Sequence, residues 1–312
     1  MAEEQSVVEK VVDGCKFAAD FVVLLVKMTI TWVHCTYLFF VPPEPKDVTG
    51  EIVLITGAGH GIGRELAVRF GKLGAVVVCV DLNSKGNEET AKMLKKAGAK
   101  VHQYQCDVAD RESVFALAAR LRKEVGDITI LVNNAGIMPC RPLCDHSERE
   151  VRSVIDVNIT GNIWTLQAFL PAMMDRNHGH VVALSSMAGL MGIRNLVPYC
   201  GTKYAVRGIM EALKIELTED ERNYDGINLT TICPTMINTG LCHKPRFKRP
   251  GLMSVIQPGE AADQIVDAVR RNYLEITITS DLYYSNKLYR LIPFPVAMLF
   301  NEFIGAGVDA HD

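Results

Sequence analysis

Beyond residue 50 the chain alternates short, nearly unbroken apolar runs with longer stretches in which apolar residues recur every three or four positions. The runs IVLIT (52–56), AVVVCVD (75–81), VHQYQCD (101–107), ITILVNN (128–134), HVVALSS (180–186), INLTTICP (227–234) and LEITIT (274–279) predict strands. Residues 63–73, 88–96, 111–125, 147–175, 204–216 and 258–271 predict amphipathic helices between them. Strands apolar on both faces that alternate with helices belong in a parallel sheet covered on both sides. The expected fold class is therefore α/β: a Rossmann-type doubly wound parallel sheet of about seven strands, occupying residues 49–282.

The two ends depart from this rhythm. Residues 21–41 read FVVLLVKMTITWVHCTYLFFV, close to the roughly 20 residues needed to cross a bilayer as a helix. Twelve of them are Leu, Ile, Val or Phe; their summed insertion energy of about −5 kcal/mol outweighs the roughly +3 of Lys27, which can also snorkel. A cleaved signal peptide fits poorly, because residues 1–20 are acidic and Pro42-Pro43 stands where a small-residue cleavage site belongs. Residues 1–48 thus read as a membrane anchor and linker, spanning or monotopic, against the alternative of a buried helix in a soluble protein. At the other end, residues 283–312 form an apolar extension interrupted by Pro293 and Pro295. It is too broken to span a bilayer, and a lip at a membrane surface and a pocket wall are both open readings.

Charge and cysteine content narrow the classes. The net charge is −3 and no basic tract stands out, so nothing argues for nucleic acid. The densest basic stretch, 243–249, is broken by Pro245 and reads as a solvated loop. Nine cysteines at irregular spacing contain no Cys-x-x-Cys pair and suit a reducing compartment, with no metal site among them.

The first strand runs directly into Thr56-Gly57-Ala58-Gly59-His60-Gly61-Ile62-Gly63 and then a helix. Glycines there let backbone N–H groups close on a pyrophosphate, and the helix start adds unsatisfied donors and the positive end of its dipole. Asp81 ends the next strand, where a carboxylate accepts both ribose hydroxyls of NAD and repels the 2′-phosphate of NADP. NAD is the expected cofactor and NADP the less favoured one; His60 brings a partial positive charge that works the other way.

Downstream stand Asn133-Asn134-Ala135-Gly136 at a strand end, Asn158 in a helix, Ser185-Ser186 at another strand end, and Tyr199-Cys200-Gly201-Thr202-Lys203. Tyr199 and Lys203, four apart, share one helix face. A phenol titrates about three units too high to act as a base at neutral pH, and a neighbouring ammonium favours the phenolate. Ser186 is placed to hydrogen-bond the substrate oxygen and steady developing charge, and Asn158 to hold a water behind Lys203.

These motifs together resemble the classical short-chain dehydrogenase/reductase family across residues 50–280. The resemblance implies catalytic roles for Asn158, Ser186, Tyr199 and Lys203, with Ser186 also touching substrate. It implies a cofactor site made of Gly57, His60, Gly61, Ile62, Gly63, Asp81 and Leu82; Asp107 and Val108; Asn134, Ala135 and Gly136; Tyr199, Lys203, Pro234 and Thr239. One departure stands out: Thr235 replaces the glycine that usually follows Pro234. GEIVLITGAGHGIGR, GNEET, EVGDITILVNNAGI, QAFLPAM and HGHVVALSSMAGL look in particular like the epidermal-type retinol dehydrogenases and the lipid-droplet 17β-hydroxysteroid dehydrogenases. That likeness implies a retinoid, steroid or fatty alcohol substrate, a place at the endoplasmic reticulum membrane or lipid droplets with a cytosolic catalytic domain, a lid over 240–257, and a homodimer. The alternative from another class is a membrane or lipid-droplet scaffold whose dehydrogenase activity is incidental.

Overall fold

The computed structural model describes residues 2–242, 244–246, 248, 255–279, 281–305 and 307–310. The chain divides into two compact units, Met1–Pro45 and Lys46–Asp312. The first is a single helix, α1 (Ala2–Phe40), which begins well before the apolar run. Its stretch Glu9–Phe40 is long and apolar enough to cross a membrane, and its apolar side chains, Trp32 and Phe40 among them, are exposed. The Thr29 and Thr36 hydroxyls donate back to the carbonyls of Leu25 and Trp32, which hides their polarity along the helix.

The second unit runs β1 (Ile52–Thr56), α2 (Gly61–Lys72), β2 (Val76–Asp81), α3 (Ser84–Lys96), β3 (Val101–Gln105), α4 (Arg111–Glu124) and β4 (Ile130–Asn133). It continues with α5 (Glu148–Ile155), α6 (Gly161–Arg176), β5 (Gly179–Leu184), α7 (Val197–Glu219), β6 (Ile227–Pro234), β7 (Pro245–Arg246), α8 (Pro258–Arg270) and β8 (Glu275–Ile278). The end of the chain adds α9 (Asp281–Tyr289), α10 (Phe294–Ile304) and β9 (Gly307–Val308). Seven strands form one parallel sheet in the order β3-β2-β1-β4-β5-β6-β8. Leu66, Phe70, Leu94, Ile265 and Val269 bury one face; Leu117, Leu121, Phe169, Met173, Val206 and Met210 bury the other. The strand order reverses between β1 and β4, so the connections leaving their carboxyl ends run to opposite sides and open a crevice there.

Three helices differ from the sequence pattern. The single helix expected over 147–175 is split by one wide π turn, Asp156–Thr160, between α5 and α6. The extra residue there turns Asn158 inward, where its side chain is fully buried. The helix expected from 204 starts at Val197 with Pro198 in its first turn, where a missing N–H costs nothing. The helix expected from 88 starts at Ser84, because Asn83 caps it by accepting from the Gly86 N–H at 3.2 Å. Of the basic stretch 243–249, the described residues Lys244, Pro245, Arg246 and Lys248 are exposed, and Pro245–Arg246 pairs antiparallel with Gly307–Val308. The apolar carboxyl end forms α10 with Pro295 in its first turn, and Leu291, Phe294, Val296, Leu299 and Phe303 there are exposed.

Candidate active site

The glycine turn between β1 and α2 is held from behind by the end of β4. The Thr56 hydroxyl accepts from the N–H groups of Asn134 and Ala135, both at 3.0 Å. Asn134 Nδ2 donates to the carbonyls of Thr56 (2.8 Å) and Gly57 (3.2 Å). Gly57 and Gly61 have φ of +67° and +55°, the left-handed region that favours glycine. At Gly63 a Cβ would lie 2.1 Å from the Gly57 carbonyl oxygen, so only glycine lets α2 start this close to the turn. Gly63 therefore packs the turn from within and does not line the crevice.

Asp81 is clamped at the rim of the turn. Its two carboxylate oxygens accept from the N–H groups of Gly59 and Asn83, each at 2.8 Å. A carboxylate has about four acceptor positions, so two remain for a pair of ribose hydroxyls. Arg64, the nearby cation, is committed elsewhere: it donates to Thr90, to the carbonyls of Gly59 and Gly86, and to Glu89. This leaves a negative rim suited to NAD.

At the ends of β5 and β6 the predicted catalytic side chains meet. Tyr199 and Lys203 are 6% and 4% exposed, on the buried side of the first turns of α7. Ser186 leaves β5 in extended conformation; its hydroxyl accepts from the Ala188 N–H and hydrogen-bonds the Tyr199 phenol. The Lys203 Nζ donates to the Leu184 carbonyl at 2.7 Å and sits 5.6 Å from the centre of the Tyr199 ring. Asn158 lies one layer behind. Its side chain accepts from the Ile137 N–H (2.9 Å) and donates to the Ile137 carbonyl (3.0 Å) and Thr202 hydroxyl (3.1 Å), while its main-chain carbonyl accepts from Asn162. Asn158 thus fixes the wall at Ile137 and does not itself reach the cavity.

Electrostatics at this cluster differ from the sequence expectation. Burial pushes the Tyr199 phenol up to about 12, against the hydrogen bond from Ser186 that favours the phenolate. Burial also brings Lys203 down to about 8. The ammonium's nearest hydrogen bond is to Leu184 and not to the phenol, which is why desolvation outweighs the expected ion–phenolate attraction.

One cavity of about 1720 Å³ joins the glycine turn to this cluster, more than the roughly 300–1,000 Å³ of a site for one small molecule. Gly57, His60, Gly61, Ile62, Asp81, Leu82, Asp107, Val108, Asn134, Ala135, Gly136, Ser186, Tyr199, Lys203, Pro234 and Thr239 all line it. Their disposition, with small residues at the turn and a clamped acid at the rim, fits a dinucleotide. Thr239 packs against Gly61, where a Cβ would lie 3.0 Å from its own Cβ. Thr235, in place of the usual glycine, does not adopt positive φ, and its N–H donates to the Ile278 carbonyl at 3.0 Å. The loop after β6 therefore needs no glycine at that position.

The other end of the cavity is walled by residues that periodicity did not single out. Met138, Met187, Met191, Met236 and Met298 line it, with Ile193, Leu196, Leu241, Phe303 and Val308. They come from four stretches far apart in sequence, around 138, 187–196, 236–241 and 298–308, so no single periodic pattern connects them. Of the lid expected over 240–257, Leu241 lines the cavity, whereas Phe247, Leu252 and Met253 lie outside the described residues.

The sequence matches the short chain dehydrogenase family over residues 51–249. It is 40% identical to human epidermal retinol dehydrogenase 2 over 270 residues, 86% of this chain and 87% of that one. It is 36% identical to human 17-beta-hydroxysteroid dehydrogenase 13 over 283 residues, 91% of this chain and 93% of that one. Among solved structures it is similar to a short chain dehydrogenase/reductase from Burkholderia phymatum in complex with NAD, with a TM-score of 0.69 and 26% identity over 78% of this chain and 94% of the other. The chain belongs to the short-chain dehydrogenase/reductase family and is an NAD-dependent oxidoreductase that interconverts alcohols and carbonyls.

Proposed function

We propose that the substrate is a lipophilic alcohol, of the retinoid, hydroxysteroid or fatty-alcohol class, and that Tyr199 is the acid–base acting on its hydroxyl. The observation that carries this reading is the placement of Tyr199 and Ser186 at the floor of an apolar, methionine-rich wall, in the same cavity as the Asp81 rim. Methionine side chains are unbranched and polarizable, and a wall built of them adapts to greasy molecules of varied shape. The names of the relatives, retinol and 17-beta-hydroxysteroid dehydrogenases, support the same class.

For Tyr199 to act near neutral pH, its phenol must come down by about five units from about 12, roughly 7 kcal/mol. A charged Lys203, 5.6 Å from the centre of the ring, favours the ionised phenol. Ser186 adds a hydrogen bond to the ionised phenol and can also hold the substrate oxygen. Oxidised NAD, held there, would supply the hydride acceptor and a positive charge that favours the ionised phenol. Lys203, at about 8, is charged at neutral pH yet close enough to its titration to pass a proton on. Asp81, Gly57, Gly61 and Thr239 would hold the dinucleotide, and Asn158 positions the Ile137 wall and Thr202.

The test is turnover of retinol, a 17β-hydroxysteroid and a long-chain alcohol with NAD by the full chain in detergent. Tyr199→Phe should lose turnover and keep NADH binding; turnover within tenfold of wild type would overturn the assignment. The helix α1 supports a membrane location, at the endoplasmic reticulum or lipid droplets, and the exposed apolar residues of α10 near the cavity mouth support contact with lipid. A chain lacking residues 1–43 should leave the membrane fraction; retention there would refute the anchor. A homodimer through α6 and α7 belongs to the same reading by family likeness, and sedimentation at graded concentration tests it.

A further inference from the structure

Chain ends fray unless something ties them down. Here the last described residues are tied at almost every position. The Gly305 carbonyl accepts from the Lys248 N–H, and Gly307–Val308 pairs with Pro245–Arg246. The Asp309 N–H donates to the Lys244 carbonyl, and Asn195 Nδ2 donates to the Val308 carbonyl at 2.8 Å. The Cys140 thiol meets the Asp309 carbonyl. The tail thus joins three stretches distant in sequence: the loop after β4, the loop before α7, and the segment after β6. All three wall the apolar end of the cavity. The side chain at the centre of this strap, Val308, is 3% exposed and packs in one cluster with Cys140, Leu196, Tyr199 and Cys200.

We propose that this carboxyl-terminal strap closes the substrate end of the cavity and that Val308 is a specificity-determining residue, setting the width available beside Tyr199. The inference rests on the reading of that end as the place of a lipophilic alcohol. Val308 touches the tyrosine cluster on one side and borders the cavity on the other. Its volume therefore decides whether a ring system or only a slim chain lies against the phenol. A strap held by backbone pairing is also rigid enough to impose that limit, since a one-methylene change in an apolar pocket shifts selectivity by about 10–200-fold.

The test uses the full chain in detergent and two probes, dodecan-1-ol as the slim alcohol and estradiol as the broad one. It reads kcat/KM with NAD and, independently of turnover, displacement of a bound fluorescent long-chain alcohol. Val308→Phe should lower the broad-to-slim ratio at least tenfold and Val308→Ala should raise it several-fold, with NADH affinity within twofold of wild type. Asn195→Gly removes the tie to the Val308 carbonyl while accepting the left-handed backbone at φ +66°, and should shift the ratio as Val308→Ala does. If Val308→Phe fails to fold, the other two variants decide. A displacement ratio within twofold of wild type in every folded Val308 variant would overturn the proposal. Displacement that shifts without turnover of either alcohol would uphold the strap and count against the choice of substrate class.

Discussion

Thr56→Val isolates the bracing of the glycine turn with little change of shape. Thr56 is buried, and its hydroxyl accepts from two backbone N–H groups, Asn134 and Ala135, while its own proton faces the Val132 carbonyl at 3.4 Å. Valine fills the same space but leaves both part-buried N–H groups without that acceptor. An orphaned buried donor costs about 1–3 kcal/mol. Two of them, offset in part by the easier burial of a methyl group, come to about 3 kcal/mol. In a domain of this size that lowers Tm by roughly 6–12 °C. Because Asn134 and Ala135 also line the cavity, KM for NAD should rise more than KM for the alcohol. Thr56→Ser keeps the acceptor and should recover most of both losses. Thermal unfolding of the full chain in detergent, followed by near-ultraviolet circular dichroism, reads the first quantity; steady-state kinetics reads the second. A Thr56→Val protein within 1 °C of wild type, or a Thr56→Ser protein as unstable as Thr56→Val, would refute the reasoning.

Lys203 makes stability depend on pH in a direction fixed by its burial. Its ammonium persists to the ordinary 10.5 in the unfolded chain but only to about 8 in the fold, so folding carries a desolvation penalty that is full below pH 8 and fades between 8 and 10.5. The difference is about 3 kcal/mol, so Lys203→Met should be most favourable relative to wild type at pH 7 and lose about that much by pH 10; a pH-independent difference in Tm would contradict this. Arg207 grips Glu275 through two donors, at 2.7 and 3.2 Å, and also donates to the Gly189 carbonyl, three residues beyond Ser186. The pair is half-buried, so Arg207→Gln should destabilise by about 2 kcal/mol and lower kcat several-fold; Arg207→Lys, which cannot form the fork, should recover only part, and full recovery of Tm and kcat would show the fork to be dispensable.

The strands and the glycine turn were legible because their signals are local: near-continuous apolar runs, and glycines at spacings a tight turn demands. Asp81, Tyr199 and Lys203 were legible because each stands at a fixed offset from such a landmark. Asn158 was legible as a residue but not as a contact. Its bonds to Ile137 and Thr202 depend on the π turn at 156–160, and no periodicity in a continuous 147–175 pattern announces a turn of that kind. The start of α7 was hidden by Gly201, which reads as a breaker in sequence yet sits exposed in an uninterrupted helix. Least legible was the substrate wall. Val308, Leu196 and Cys140 meet only after the whole chain has folded; the apolar character of 283–312 offered a pocket wall as one reading, but nothing in the last ten residues marks Val308 as the side chain that packs in the Tyr199 cluster.

The methionine wall also has a redox chemistry. A thioether oxidised to the sulfoxide becomes polar and chiral, and enzymatic reduction restores it. Five such sulfurs line the substrate end of the cavity, while the glycine turn and the Asp81 rim hold, among the described residues, only the buried thiols of Cys79 and Cys106. Oxidation would turn a wall suited to hydrocarbon into one suited to water and leave the nucleotide end intact. The cofactor end would then be unchanged while the substrate end turned polar, and reduction of the sulfoxides would reverse it.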